Sequence, residues 1–355
     1  MDSLYKWFIN RPIIIIFSVW LIIQSAIYLF IGVEYGFEGD KYINDAYLLI
    51  DYHSLNFDRL FYSIYSILIS FFIKLGCDLW CVIIFQLLLN AFATYVLYLL
   101  AIELYKNRLT ALVVSLIFIF SFQIQQWNFF LFTESVFISI TILLYYTIIK
   151  FNKLSVNDYL KISFLLLLLS FIRPSGIFYI APILVFFFSA IFNNSFNKRM
   201  TFPLLVVLII VTINLFFNQD NLSFHYYLAD SKHWIIGGYD SVIIDYSNNS
   251  ILYNIKLFTL RIIYYFSNWR PFFSLNHNLI IIFSLVPIYL LALIGIFNTN
   301  TEHRRFNIFI FITIFIFTGF IMLTFVNWHG RFLAVLLPAI IIVSGYGVDY
   351  FIEKS

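Results

Sequence analysis

Apolar residues in this chain come in long runs, so the elements are placed by the length of each run. A run of about 20 residues spans a bilayer as a helix. Runs at 12–33, 79–105, 109–128, 134–150, 158–174, 176–193, 201–217, 278–297, 306–326 and 331–351 meet or approach that length. They predict an all-α fold, a polytopic transmembrane helical bundle crossing the bilayer about ten times. Two further stretches are ambiguous. Segment 60–76 is apolar, and 251–269 mixes aromatics with Lys256 and Arg261.

The Lys/Arg positions decide between topologies, because basic residues favour the cytoplasmic side. If neither ambiguous stretch crosses, one side receives Lys6, Arg11, Lys106, Arg108, Lys150, Lys153, Lys161, Lys198, Arg199, Arg304, Arg305 and Lys354. The other side receives two long loops, 34–78 and 218–277. The first is acidic, with Glu34, Glu38, Asp40, Asp45, Asp51 and Asp58 against Lys41, Arg59 and Lys74. If 60–76 crossed, the basic groups at 106–108, 150–161 and 198–199 would move outside. The pattern therefore predicts a cytoplasmic N-terminus and two extracytoplasmic regions with amphipathic juxtamembrane helices. Under this topology the turns at Trp127–Glu134, Arg173–Gly176 and Asn327–Arg331 open on the outer side too.

Composition agrees with a membrane solvent. The chain of 355 residues is 62% hydrophobic and 11% charged, against about 25% charged in an ordinary soluble domain. The spans leave little for a separate soluble domain, so residues 1–355 read as a single integral membrane domain. A net charge of +3 is too weak to indicate nucleic acid. Cys77 and Cys81 share a helix face but two thiols make a poor zinc site, and packing is the simpler role. The run from Pro12 has no small-residue cleavage pattern after it and reads as a first span, not a cleaved leader.

Several groups of polar residues carry candidate chemistry. Glu38-Gly39-Asp40-Lys41-Tyr42 follows the first span, where a carboxylate could take a proton from an acceptor hydroxyl or simply be solvated. Glu134 opens a span after Thr133, where the helix dipole favours a negative charge. It could also hold a sugar or acceptor. Arg173 precedes Pro174-Ser175-Gly176, and Arg331 follows Trp328-His329-Gly330. Each guanidinium could snorkel to headgroups or grip a phosphate with paired hydrogen bonds. His225, Asp230, Lys232, His233, Asp240 and Asp245 in the second loop lack tight metal-ligand spacing. A divalent cation stays possible and no cofactor is required. No P-loop, GxGxxG or GxSxG is present, so an activated substrate would arrive through the membrane.

The order of "GDKYINDA", "DRLFYSIYSILISFFIKLG", "FTES", "RPSGIFYIAP" and "GRFLAVLLPAI" is similar to the GT-C superfamily of polyprenyl-phosphate-sugar-dependent glycosyltransferases. The bacterial enzymes related to protein mannosyltransferases and to the aminoarabinose transferase of lipid A are the nearest in pattern. The resemblance covers most of the chain in order, through short motifs. It implies a bacterial inner-membrane enzyme moving a sugar from a polyprenyl-phosphate carrier to a glycan, lipid or protein acceptor. It also implies Asp40 as the base, Glu134 as a second acidic site residue, and Arg173 and Arg331 beside the carrier phosphate. Arg59 and His329 are further phosphate candidates, and Tyr42 is a candidate for the acceptor side. Phe332 stands where the family usually has Tyr, and Lys41 where many members carry a second acid. A glycan polymerase or ligase, or a flippase or transporter, are the competing readings.

Overall fold

A computed structural model describes residues 11–36, 38–151, 156–191, 234–236, 242–243, 251–324 and 330–354. The helices are α1 (Pro12–Ile31), α2 (Glu38–Tyr52), α3 (Ser63–Lys74), α4 (Trp80–Tyr105), α5 (Arg108–Phe120), α6 (Phe122–Gln125) and α7 (Thr133–Ile149). They continue with α8 (Val156–Ile172), α9 (Ile180–Ile191), α10 (Ile251–Ser267), α11 (Leu275–Phe297), α12 (Arg304–Thr324) and α13 (Arg331–Lys354). Short 3-10 turns cover Phe57–Tyr62, Gln126–Phe129 and Pro174–Tyr179. A two-stranded antiparallel ribbon pairs β1 (Trp234–Ile236) with β2 (Val242–Ile243). The fold is an all-α polytopic bundle, and the protein is an integral membrane protein.

Five of the described helices are long and apolar enough to cross a bilayer: α1, α4, α11, Arg304–Met322 of α12, and α13. The stretch 109–128, which the apolar run predicts as one span, is instead broken. The α5 axis and the Phe122–Phe129 segment meet at 58°. The polar sequence Ser121-Phe122-Gln123-Ile124-Gln125-Gln126 marks the break. The run 134–150 forms α7, and 158–174 forms α8, each of 17 residues. The run 176–193 divides between a 3-10 turn and α9. Segment 201–217 lies outside the described residues.

The ambiguous stretch 60–76 is a 3-10 turn followed by α3, whose 12 residues reach about 18 Å. That is well short of the roughly 30 Å hydrocarbon layer. Helix α2 packs along α3 through a stripe of Gly39, Tyr42, Asp45 and Ala46. These recur at helical spacing, so one face is covered and the charged face is left outside. The other ambiguous stretch forms α10, over Ile251–Ser267.

Helices differ sharply in how much of their apolar length is covered. In α13, 89% of the apolar window is buried, against 22% in α1 and 28% in α11. Helix α13 is thus the central post, contacting α5, α7, α11 and α12. Its closest neighbour is α11, where Gly295 faces the Val343 carbonyl and Gly347 faces the Leu291 carbonyl with no room for a Cβ. Small residues at such a crossing let two backbones approach without a hydrophobic driving force from water. Helices α1 and α11 instead turn Leu21, Ile22, Leu29, Phe283 and Leu290 outward, as side chains solvated by lipid.

Candidate functional site

The site begins with irregular backbone between α6 and α7. Backbone amides and carbonyls at membrane depth must be paired, because hydrocarbon offers no partner. Two neighbours supply pairing. Glu34, just after α1, forms a parallel bridge with Phe130: its amide donates to the Phe129 carbonyl (2.9 Å) and its carbonyl accepts from the Leu131 amide (3.0 Å). The Gln86 amide on α4 donates to the carbonyls of Asn128 (3.2 Å) and Phe130 (3.0 Å). Tyr65 on α3 holds Gln86 in turn, donating to its Oε1 at 2.6 Å. Around them lies a buried amide cluster: Gln24 donates to Gln125 (2.7 Å), Asn128 donates to both, and Ser135 donates to Asn128 (2.6 Å). This scaffold fixes where α7 starts, and therefore where Glu134 points.

Glu134, in the first turn of α7, is completely buried. Its Oε1 receives Arg173 Nη1 at 2.6 Å and also Arg331 Nε. Arg331 then reaches Glu38 with its Nη1, 2.5 Å from Oε2. Four charges from α2, α7, the α8–α9 connection and α13 form one continuous chain: Arg173, Glu134, Arg331, Glu38. Exposure of the side chains is 5%, 0%, 6% and 29% in that order. Aromatic rings flank both guanidinium groups, with Phe332 4.7 Å from Arg173 and Phe132 4.9 Å from Arg331. Removing one partner from such a buried set leaves an uncompensated charge, which is far costlier than losing an exposed pair.

Local sequence explains each placement. Arg173 precedes Pro174 and is extended (φ −157°, ψ 139°), as the proline ring requires of its neighbour. Gly330 holds a left-handed φ of 74° and presses against the Asn268 side chain. It delivers Arg331 as the first residue of α13. Gly39 packs on Leu131 and Phe132, bringing the start of α2, and Glu38 with it, against the mouth of α7.

Of the residues singled out from sequence, Glu134, Arg173 and Arg331 come together. Tyr42 lies beside them: it is 2% exposed, and its hydroxyl sits a long 3.5 Å from Glu38. Burial raises the Tyr42 phenol well above its ordinary value, so it stays protonated. Burial raises Tyr62 likewise, with Arg173 opposing. Asp40 does not join. It is exposed on α2, two residues from Glu38 and so about 200° round the helix. Arg59 is engaged elsewhere, with Asp45 Oδ2 at 3.2 Å and the Lys41 carbonyl at 3.0 Å, fastening the 57–62 turn to α2. His329, and the second-loop residues His225, Asp230, Lys232, His233, Asp240 and Asp245, lie outside the described residues. Among the described residues no three His, Cys, Asp or Glu converge as a metal site.

Glu38 is the participant that the sequence reading passed over in favour of Asp40. Its signal was the helical period: Glu38, Tyr42 and Asp45 recur on one face, and Asp40 does not. An apolar groove of about 870 Å³ is walled by Phe30, Leu116, Phe120, Phe122, Leu279 and Pro287, and none of the four cluster residues lines it. Gln123, next in sequence to Phe122 of the groove wall, accepts at its Oε1 from Asn268 (2.8 Å), the residue packed on Gly330. No family model and no curated protein sequence matches the chain.

Proposed function

We propose that the protein is a membrane glycosyltransferase of the GT-C kind, taking a sugar from a polyprenyl-phosphate carrier at the outer face of a bacterial inner membrane. The acceptor is a glycan, lipid or protein. One observation carries this reading: two guanidinium groups converge on a single buried carboxylate within an apolar helical bundle. A lipid-linked phosphate needs cations for its head and hydrocarbon for its tail.

The chemistry follows from charge. The acceptor oxygen attacks the anomeric carbon, the bond from that carbon to the phosphate oxygen breaks, and the phosphate leaves with one additional negative charge. Arg173 and Arg331 stabilise that developing charge more than they stabilise the bound substrate, which is what lowers a barrier. Glu134 aims both guanidinium groups. The acceptor proton leaves to water at the outer face and the displacement is inverting; Asp40, which faces away from the cluster on α2, is not assigned this step. Tyr42 lines the acceptor side.

The test is transfer by purified protein from a panel of synthetic polyprenyl-phosphate sugars, followed by mass spectrometry. Arg331→Ala is expected to abolish product. Undiminished transfer by that variant would remove Arg331 from the mechanism. The 58° break between α5 and Phe122–Phe129 favours a second reading, a lipid-linked glycan flippase, because transporters build sites on interrupted helices. Movement of labelled carrier across proteoliposomes without transfer selects that alternative.

A further inference from the structure

We propose that Glu38 is an internal competitor for the carrier phosphate, holding the Arg331 nitrogen that the phosphate requires and pushing the spent carrier off after transfer. The inference rests on the phosphate-binding reading above. Arg331 divides its fork between two carboxylates, Nε to Glu134 and Nη1 to Glu38. The two bonds are not equivalent. Glu134 is fully buried and bonded to both arginines, so displacing it would cost each of them a partner. Glu38 is 29% exposed, has Arg331 as its ion-pair partner, and opens α2. Its side chain can rotate into water and be hydrated there, so little is lost on release.

Charge balance makes the exchange work in both directions. Two guanidinium groups and two carboxylates cancel. A sugar-bearing phosphodiester carries one negative charge and can replace Glu38 without upsetting that balance. Once the glycosidic bond breaks, the phosphate monoester carries a second charge beside Glu134. The site then holds an excess of negative charge, and Glu38 returns to Arg331 as the better partner. Glu38 is on this account a positioning residue that sets carrier affinity and product release, with no proton transfer assigned to it.

The test is binding of dodecyl phosphate, a monoalkyl phosphate, to the full-length protein in maltoside detergent. Glu38→Gln keeps the shape and removes the competing charge. It is expected to tighten binding by about tenfold, the worth of one charge-assisted hydrogen bond. Glu38→Asp, which retracts the charge by one methylene, is expected to fall between. Thermal midpoints check that each variant is folded. In turnover, Glu38→Gln should retain its first-turnover burst and slow afterwards as product is retained. Unchanged or weaker binding by folded Glu38→Gln, with Arg331→Ala still abolishing binding, overturns the competitor role alone. Binding indifferent to Arg331→Ala overturns the phosphate site and the competitor with it. Tightening towards phosphatidylglycerol but not dodecyl phosphate assigns Glu38 to bilayer lipid and overturns its role towards the carrier.

Discussion

The two ends of α7 carry ion clusters of similar size and opposite environment. At its first turn Glu134 is sealed among Arg173, Arg331 and Glu38. Just past its last residue, Lys150 meets Glu103 at 2.5 Å, and Lys106 meets Glu103 and Glu302 at 3.5 and 3.8 Å. There Lys150 is 47% exposed, Lys106 52% and Glu302 58%. The cations differ as well, arginine at the sealed end and lysine at the open one. Lysine in water is a mobile point charge that gains little from a single partner. Arginine offers a planar fork and weaker hydration, so it can be buried on a carboxylate and still present a free edge. The ion pairs at the open end decorate a helix terminus. Those at the sealed end are held against a large desolvation cost, a cost natural sequences retain where ionisable groups serve a purpose.

That contrast can be broken most severely at Glu134. Glu134→Ala takes the paired carboxylate from buried Arg173, leaves Arg331 with Glu38 alone, and is expected to destabilise the protein by roughly 3–5 kcal/mol. Glu103→Ala, at the other end, should cost no more than about 1 kcal/mol. Unfolding midpoints of the two variants in the same detergent provide the comparison, and equal losses would erase the distinction. Raising ionic strength should further shrink the Glu103 effect and leave the Glu134 effect almost untouched, because buried pairs are poorly screened.

A smaller effect is expected from Arg331→Lys. One ammonium cannot reproduce both the Nε and the Nη1 contacts, so dodecyl phosphate affinity should fall about tenfold while most of the stability survives. Lys150→Arg, the converse exchange, should change neither quantity. The smallest effect belongs to Tyr42→Phe. Its hydroxyl lies 3.5 Å from Glu38, and burial holds the phenol above its usual value. It stays protonated throughout the neutral range, so the variant should keep the parent pH–rate profile between pH 6 and 9, roughly. A basic limb that vanished in Tyr42→Phe would give the phenol a titrating role.

Three of the sealed cluster's four members were legible in the sequence. Glu134, Arg173 and Arg331 announced themselves as charges embedded in apolar runs, where each needs a reason to exist. Helix α13 was legible for the same reason, as an uninterrupted apolar stretch. The choice of Glu38 over Asp40 turns on which face of α2 meets Leu131 and Phe132, a tertiary contact that no run length reports. Arg59 looked like a phosphate ligand because its charge was counted and its partner Asp45 was not. The break at Ser121 was hidden by apolar length: Ile119, Phe120, Phe122 and Ile124 keep mean hydropathy high. The polar residues that mark the turn, Gln123, Gln125 and Asn128, find partners in Asn268, Gln24 and Ser135, and Gln125 also donates to the Phe118 carbonyl.

The cluster's four members also impose an order on how the protein is made. Glu38 and Arg331 are separated by 293 positions, and Arg331 opens α13. During synthesis Glu134 can find Arg173 after 39 residues. Glu38 must wait, hydrated at the membrane surface, until α13 is inserted. Helix α13 therefore closes the site, and a chain halted before Arg331 carries the scaffold with half of the cluster's cations absent.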